Sequence, residues 1–323
     1  MPYWSSHREH PARYRRYARK KAVHDIERDP DRFARCLARW PCHCTLCNRR
    51  ALSDWRGLGG WRLAGVLFWS ALACQKVEVR QPIFIRRRQP VKRFYDTVAF
   101  GQVEGGWQVT LDGRRLKTVK GAQQIVPSAA LAKKLAAEWD VQGEKLDPAL
   151  FPLRDTTDYA IDVVTADIAA QAEKVVAFGD TDTLLYRADP DEHLYAKQQE
   201  VWEPLVTAFE AREGITMVRV SGIIHKAQSG ESLDKLRTRL EGMSGFELAG
   251  LESMTSLTAS LIIALSAADA GTEAEAIELW RAASLEEEWQ ADLWGRDLEA
   301  EDRRTKRQSD FLKAWEFIRA ARI

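Results

Sequence analysis

The chain has 323 residues, which is long enough for about two domains. Apolar residues make up 45% of it and charged residues 29%, a balance that is ordinary for a globular protein and excludes collagen-like and wholly disordered chains. The net charge of +1 hides two unlike parts. Residues 1–90 carry 20 Lys and Arg against 7 Asp and Glu, a net of +13, whereas residues 91–323 carry 28 against 40, a net of −12.

Residues 1–90 show neither helical nor alternating periodicity, and we expect an unstructured basic extension, or a segment translated from upstream of the natural start. All five cysteines lie in this part, so no disulfide framework holds residues 91–323, which favours a reducing compartment. The apolar run 63–74 is too short to span a bilayer.

Two other functions of residues 1–90 have weaker support in the sequence. Cys42, His43, Cys44 and Cys47 are metal-ligand types, but no second pair follows at a suitable spacing, so we predict no metal site. The many arginines could bind nucleic acid through phosphates, although no recognisable module surrounds them.

From residue 92 onward the chain begins with strands. Residues 93–100 form a strand-like run, and residues 107–111 alternate apolar and polar side chains as a half-buried strand does. Asp112 and Gly113 then give a strong hairpin signal. Residues 114–118 and 123–126 are the next strands. This order predicts an antiparallel meander.

Helices follow, and Ser128 is a good N-cap for the first of them, at 129–140. Thr272 and Ser284 each precede a glutamate by three residues, as in a capping box. A strand or extended connector is expected at 214–224. The remaining helices are predicted at 155–178, 194–212, 232–240, 245–268 and 302–322. The fold class is therefore α+β, with a small α+β domain over 91–180 and an all-helical domain over 181–323.

Few residues in 91–323 suit catalysis. Asp180, Asp182 and His193 could together serve a metal-assisted hydrolase, and this is the alternative function. Helix capping near a domain junction is the favoured explanation of the two aspartates. His225 has no neighbouring carboxylate in the sequence and no nucleophile elbow to serve.

The segment 285–295 contains both acidic residues and tryptophans. Glu286, Glu287 and Glu288 suit the positive end of a helix dipole. Leu285, Trp289 and Leu293 are spaced four apart, a pattern typical of core packing, and Trp294 stands beside this stripe. Tryptophan is also enriched where proteins bind one another. An acidic helix with tryptophan anchors could therefore bind a partner that has an apolar interface and a basic rim.

Six pieces of sequence occur in an order that resembles one family, the assembly chaperones of F-type ATP synthase that bind the free α subunit of the catalytic head. These chaperones occur in mitochondria and in related bacteria. The resemblance covers about 91–323. Its pieces are KRFYDTVAF at 92–100, WQVTLDGRRLKT at 107–118, VPS at 126–128, AEWD at 137–140, FGDTDTLLYR at 178–187 and LEEEWQADLWG at 285–295.

The resemblance implies a chaperone without catalytic residues or cofactor, whose helical domain is an orthogonal bundle. Its partner would be the α subunit, held until a β subunit replaces it. The implied partner-binding residues are Glu286, Glu287, Trp289, Trp294 and Gly295. The family often has Tyr where this chain has Trp289. We expect structural roles for Trp139, Asp180 and Asp182.

The same resemblance sets the expected surroundings. The chain would work in the cytoplasm of a bacterium or in the mitochondrial matrix of a eukaryote, without nucleic acid and without insertion into a membrane.

Overall fold

The computed structural model describes residues 91–222 and 224–322. The predictions for residues 1–90 lie outside the described residues. The described part begins with a small antiparallel sheet. Strands β1 (Val98–Val103) and β2 (Gly106–Leu111) form a hairpin, in which Val98 lies opposite Leu111. Strands β3 (Arg114–Arg115) and β4 (Ile125–Val126) pair with the other edge of β2.

The predicted turn at Asp112 and Gly113 is confirmed. Both residues have positive φ, 49° and 76°, as a tight hairpin turn requires. The Asp112 carboxylate also accepts hydrogen bonds from the backbone N–H groups of Asp96 and Thr97. These bonds lower the pKa of Asp112.

Helix α1 (Ala129–Asp140) covers one face of the sheet. Its predicted cap is confirmed, since the Ser128 hydroxyl accepts a hydrogen bond from Leu131 N at 3.0 Å. Leu131, Leu135 and Trp139 are buried on its inner face. Helix α1 and the sheet share a cluster of buried apolar side chains, which the end of the last helix completes.

Helices make up most of the remainder, and their apolar faces form a second buried cluster. A short parallel pair, β5 (Tyr186–Arg187) and β6 (Val220–Ser221), lies among them. The helices are α2 (Pro152–Tyr159), α3 (Ile168–Asp180), α4 (His193–Glu213), α5 (Gly230–Glu241), α6 (Gly245–Thr258), α7 (Leu261–Asp269), α8 (Glu273–Ala283), α9 (Leu285–Trp294) and α10 (Leu298–Ala321). The predicted α+β class is confirmed. The domain boundary at residue 180 stays a prediction.

Two predicted long helices are each broken in two. The helix predicted at 155–178 contains a π-helical turn at Ala160–Val164 and then restarts, because the Asp167 carboxylate caps α3. The helix predicted at 245–268 stops at Ala259, whose φ is +50°. Ser260 then caps α7 by accepting from Ile263 N. Apolar periodicity alone did not reveal these breaks, because both halves of each helix are apolar on the buried side.

The capping predictions succeed only in part. The Thr272 hydroxyl caps α8 by accepting from Glu275 N, but the Glu275 carboxylate accepts from Gly271 N rather than from Thr272 N. The box predicted at Ser284 is wrong, since that side chain makes no cap bond. Ser284 N instead donates to Trp280 O, and Ser284 O accepts from Glu288 N, so α8 leads almost directly into α9.

No described helix is long and apolar enough to cross a bilayer.

Candidate functional site

The candidate site is the corner formed by α9 and the start of α10, over residues 285–302. Leu285 is buried and fixes the beginning of α9 against the helical core, and Trp289 is half-buried. The predicted stripe then leaves the core, because Leu293 is 62% exposed. Trp294 is 80% exposed and Leu298 is 85% exposed. Leu293, Trp294 and Leu298 are called the exposed apolar patch below.

Gly295 shapes this corner. Its φ of 93° and ψ of 154° lie in a region that only glycine adopts readily. This conformation ends α9, and Gly295 N donates to Ala291 O at 2.9 Å as the helix closes. The Asp297 carboxylate then caps α10 by accepting from Ala300 N. The reversal leaves Trp294 and Leu298 exposed on either side of the connection.

Glu286 anchors α9 to α4. It accepts a hydrogen bond from Gln198 Nε2 at 2.7 Å, and Gln198 is itself fully buried. Burial raises the pKa of Glu286, and the bond from Gln198 opposes that rise. Glu286 therefore acts through its neighbours inside the molecule rather than as a free surface charge.

Glu287 and Glu288 connect α9 to α10. Arg307 Nη1 donates to Glu287 at 2.7 Å, and its Nη2 donates to Leu257 O at the end of α6. Glu288 pairs with Arg296 at 2.9 Å and with Arg304 at 3.0 Å. These charge-assisted bonds hold α9 in place where its apolar burial is small.

Arg296 stands next to the exposed apolar patch and faces three carboxylates. Its guanidinium lies 2.8 Å from Asp292, 2.9 Å from Glu288 and 3.4 Å from Glu301. These neighbours raise the pKa of Arg296. Residues 286–302 contain eight acidic residues and a single basic one, Arg296. The rim of the apolar patch is thus strongly acidic.

A cavity of about 210 Å³ adjoins this corner, between the end of α6 and the junction of α8 with α9. The side chains of Trp280, Glu286, Glu287 and Arg307 line it, together with Ala259 at the break after α6. The two glutamates therefore border both this cavity and the α9 surface.

The structure does not assemble the residues of the alternative hydrolase. Asp182 is fully buried, and its oxygens accept from Leu184 N at 3.0 Å and from Ile262 N at 2.9 Å. Asp180 accepts from Gln228 N and lies 3.4 Å from His225 Nε2. His193 is exposed at the start of α4. In the described ranges, no three His, Cys, Asp or Glu side chains are grouped to hold a metal ion.

Asp182 joins the N-termini of two helices, and its burial shifts its pKa. The short helix at Thr183–Leu185 and helix α7 both begin on its oxygens. Burial raises the pKa of Asp182 to about 6, although the bonds from these backbone groups work against the rise. Trp139 is likewise buried, and its carbonyl accepts from the Tyr95 hydroxyl at 2.6 Å.

Sequence reasoning missed Leu298 and placed Leu293 in a core stripe. Both residues flank Gly295, and a glycine at the end of an acidic helix is the local signal that the chain turns at the surface. A helical spacing of apolar residues does not by itself tell which end of the stripe leaves the core.

Comparisons with known proteins agree with this fold. A family model described as ATP12 chaperone protein matches residues 92–210. The chain is similar to the mitochondrial protein atp12 of Schizosaccharomyces pombe, with 26% identity over 238 residues, which is 68% of this chain and 81% of that protein.

Solved structures are similar as well. The crystal structure of Atp12 from Paracoccus denitrificans is 32% identical with a TM-score of 0.67, and the match covers 72% of this chain and 99% of that one. The crystal structure of the Atu1473 protein from Agrobacterium tumefaciens is 36% identical with a TM-score of 0.68, and the match covers 72% of this chain and 86% of that one. With the Paracoccus protein matched over almost its whole length, the chain belongs to the ATP12 chaperone family, the assembly chaperones of F-type ATP synthase.

Proposed function

We propose that this chaperone binds the unassembled α subunit of the catalytic head and covers its apolar interface until a β subunit replaces it. The observation that carries the proposal is the exposed apolar patch, which presents a tryptophan 80% exposed on a helix that hydrogen bonds and ion pairs join to α4 and α10. A folded chain that presents large apolar side chains together at one corner usually does so to bind a partner. Tryptophan is the residue type most enriched among binding anchors.

The acidic rim defines the partner's chemistry. Eight acidic residues lie within residues 286–302, and residues 91–323 carry a net charge of −12. Such a surface attracts an apolar interface with a basic border and repels other copies of the chaperone. A subunit that has not yet met its neighbours would expose an interface of this kind.

Release would follow from competition for the same interface. A non-covalent complex of moderate affinity lets the β subunit displace the chaperone by mass action. No covalent step or nucleotide is needed for this exchange.

Each predicted site residue has a role in the proposal. Trp294 contacts the partner, and Gly295 sets the turn that exposes it. Glu286, Glu287 and the half-buried Trp289 position α9, and Glu287 also borders the cavity next to it. Trp139, Asp180 and Asp182 act inside the fold, where we propose structural roles for them.

The compartment follows from the proposed partner, which occurs in the bacterial cytoplasm or the mitochondrial matrix. The absence of cysteine from residues 91–323 suits a reducing environment of either kind.

Retention of the purified α subunit on the immobilised full chain, at modest salt, tests the proposal. We expect stoichiometric retention of free α subunit and release when β subunit is added. Purified β subunit alone is the control and should pass through. A folded chaperone that retains no α subunit would reject the proposal.

A further inference from the structure

The sheet has one edge that nothing in the described part of the chain pairs with. Strand β1 pairs with β2 only, whereas β3 and β4 occupy the opposite edge of β2. β1 is six residues long, which equals an average strand. It is therefore long enough to serve as a template for another strand.

The backbone groups that face this free edge can be assigned from two contacts. Thr97 O accepts from Asp112 N at 3.0 Å, and Ala99 O accepts from the Thr110 hydroxyl at 3.4 Å, so both carbonyls point toward β2. Backbone groups alternate sides along a strand. The N–H and C=O groups of Val98, Phe100 and Gln102 therefore point away from β2, where they form a ladder of three donors and three acceptors.

The usual means of protecting an edge are absent from β1. Its sequence, VAFGQV, contains no charged residue and no proline. Gly101 faces open space, since a Cβ placed there would meet no atom within 4 Å. Phe100 is 40% exposed on the strand and Phe94 is 63% exposed just before it. The edge thus offers both unpaired backbone groups and apolar side chains.

We propose that β1 is a second docking site, at which an extended segment of the client polypeptide adds a strand to the sheet. The ladder of donors and acceptors matches only an extended backbone. A residue opposite Phe100 would share its face of the sheet, so the segment should carry an apolar side chain there and at alternate positions. A second copy of the chain is disfavoured as occupant, because the net charge of −12 over residues 91–323 repels it.

This inference rests on the proposed function, since its client is the free α subunit. It adds a main-chain contact to a binding mode that otherwise uses side chains at the exposed apolar patch. A chaperone with an open strand edge can pair with any extended segment that such a client leaves unpaired.

Hydrogen exchange of the full chain, alone and saturated with purified α subunit, tests the inference. We expect the amides of Val98, Phe100 and Gln102 to exchange at least tenfold more slowly in the complex. The variant Gln102→Pro removes one outward N–H without removing a bond to β2, and should weaken α-subunit binding about tenfold. Gln102→Ser keeps the N–H and is the matched control, with unchanged binding.

The outcomes separate the two proposals. If α subunit binds, and Trp294→Ala weakens it, while the β1 amides exchange as in the free chain, the strand inference is overturned alone. If no α subunit binds, the proposed function fails as well. Slow exchange of the β1 amides in the free chain would also overturn the inference, because the edge would then already be occupied. If the exchange slows further as the protein concentration rises, the occupant is a second copy of the chain. If it does not depend on concentration, the occupant is residues 1–90. Should Gln102→Pro fail to fold, the exchange of the unaltered chain still decides.

Discussion

Asp182, which is buried, and Glu138, which is half-buried, show how carboxylates organise this fold. Each accepts hydrogen bonds from the first backbone N–H groups of a helix: Asp182 at α7, and Glu138 at α2, where Leu153 N and Arg154 N donate at 2.7 and 2.9 Å. A carboxylate at this position satisfies donors that a helix leaves unpaired. Neither residue contacts the exposed apolar patch, so their part in function is indirect.

Glu138 makes the stability of the chain depend on pH. Burial raises its pKa from 4.5 to about 7 despite the two backbone bonds. The protonated form is thus favoured in the folded state, and the stabilisation is fully present below pH 4.5 and lost as the pH rises through 7. We predict that the difference in free energy of unfolding between the unaltered chain and Glu138→Gln falls by about 2–3 kcal/mol between about pH 4.5 and 8.

Urea unfolding at a series of pH values measures this difference. Glu144→Gln changes an exposed glutamate nearby and is the control, for which the difference should stay constant. A Glu138→Gln difference that is constant or rises with pH would show that burial does not control this group.

Gly295 determines where helix α9 ends, because its backbone conformation stops the helix. A Cβ at Gly295 would meet no atom within 4 Å, so crowding is not the obstacle, but φ is 93°. We predict that Gly295→Ala loses about 1–3 kcal/mol of stability or shifts the corner to relieve the strain. Gly143 also has open space around its Cβ position and no positive φ, so Gly143→Ala is the control.

Thermal unfolding and hydrogen exchange across residues 289–298 read out this change. The Gly295→Ala variant should show faster exchange in the last turn of α9, and the Gly143→Ala variant should not. Equal behaviour of the two variants would mean that the corner tolerates other backbone conformations and that Gly295 does not define it.

Helix α9 is held by ion pairs, and Glu287 tests whether its charge matters to the partner. Glu287→Lys breaks the contact with Arg307 and reverses one rim charge. We predict about tenfold weaker α-subunit binding at low salt, with a smaller effect at high salt, because rim charges are screened. Glu278→Lys breaks a comparable surface pair with Arg281 on α8 and should change binding by less than about threefold.

Titration calorimetry at two salt concentrations, with circular dichroism to show that both variants fold, gives the comparison. Equal affinities of the two lysine variants for the α subunit would mean that the acidic rim does not contribute to binding.

Local signals predicted the elements, but not where the chain leaves them. The Ser128 cap and the turn at Asp112 were predictable because one residue's side chain or φ preference decides each. The stop at Ala259 was not, because Thr183 N donates to Ala259 O from a segment 76 residues away. The exposure of Leu293 was missed for a similar reason, since helical spacing does not record how far the rest of the core extends.

At the scale of the whole molecule, the described part of the chain is an acidic scaffold that carries both proposed docking sites. The exposed apolar patch lies at the α9–α10 corner, and the edge of β1 lies on the sheet. The last helix, α10, joins the two buried clusters, since Phe317 packs with the sheet and α1, and Phe311 packs with the helices. A folded scaffold of this kind would present the proposed binding side chains without a cost in free energy for ordering them.

The affinity of the full chain for purified α subunit, compared between two single substitutions, tests the central claim most directly. Trp294→Ala removes the main anchor of the patch, whereas Val119→Ala removes an apolar side chain that is 89% exposed in the loop between β3 and β4. Both should fold as well as the unaltered chain, because neither side chain is buried. We predict a dissociation constant about 30-fold higher for Trp294→Ala, the cost of losing an anchor worth about 2 kcal/mol, and no change for Val119→Ala. Equal dissociation constants for the two variants would contradict the claim that this corner holds the client.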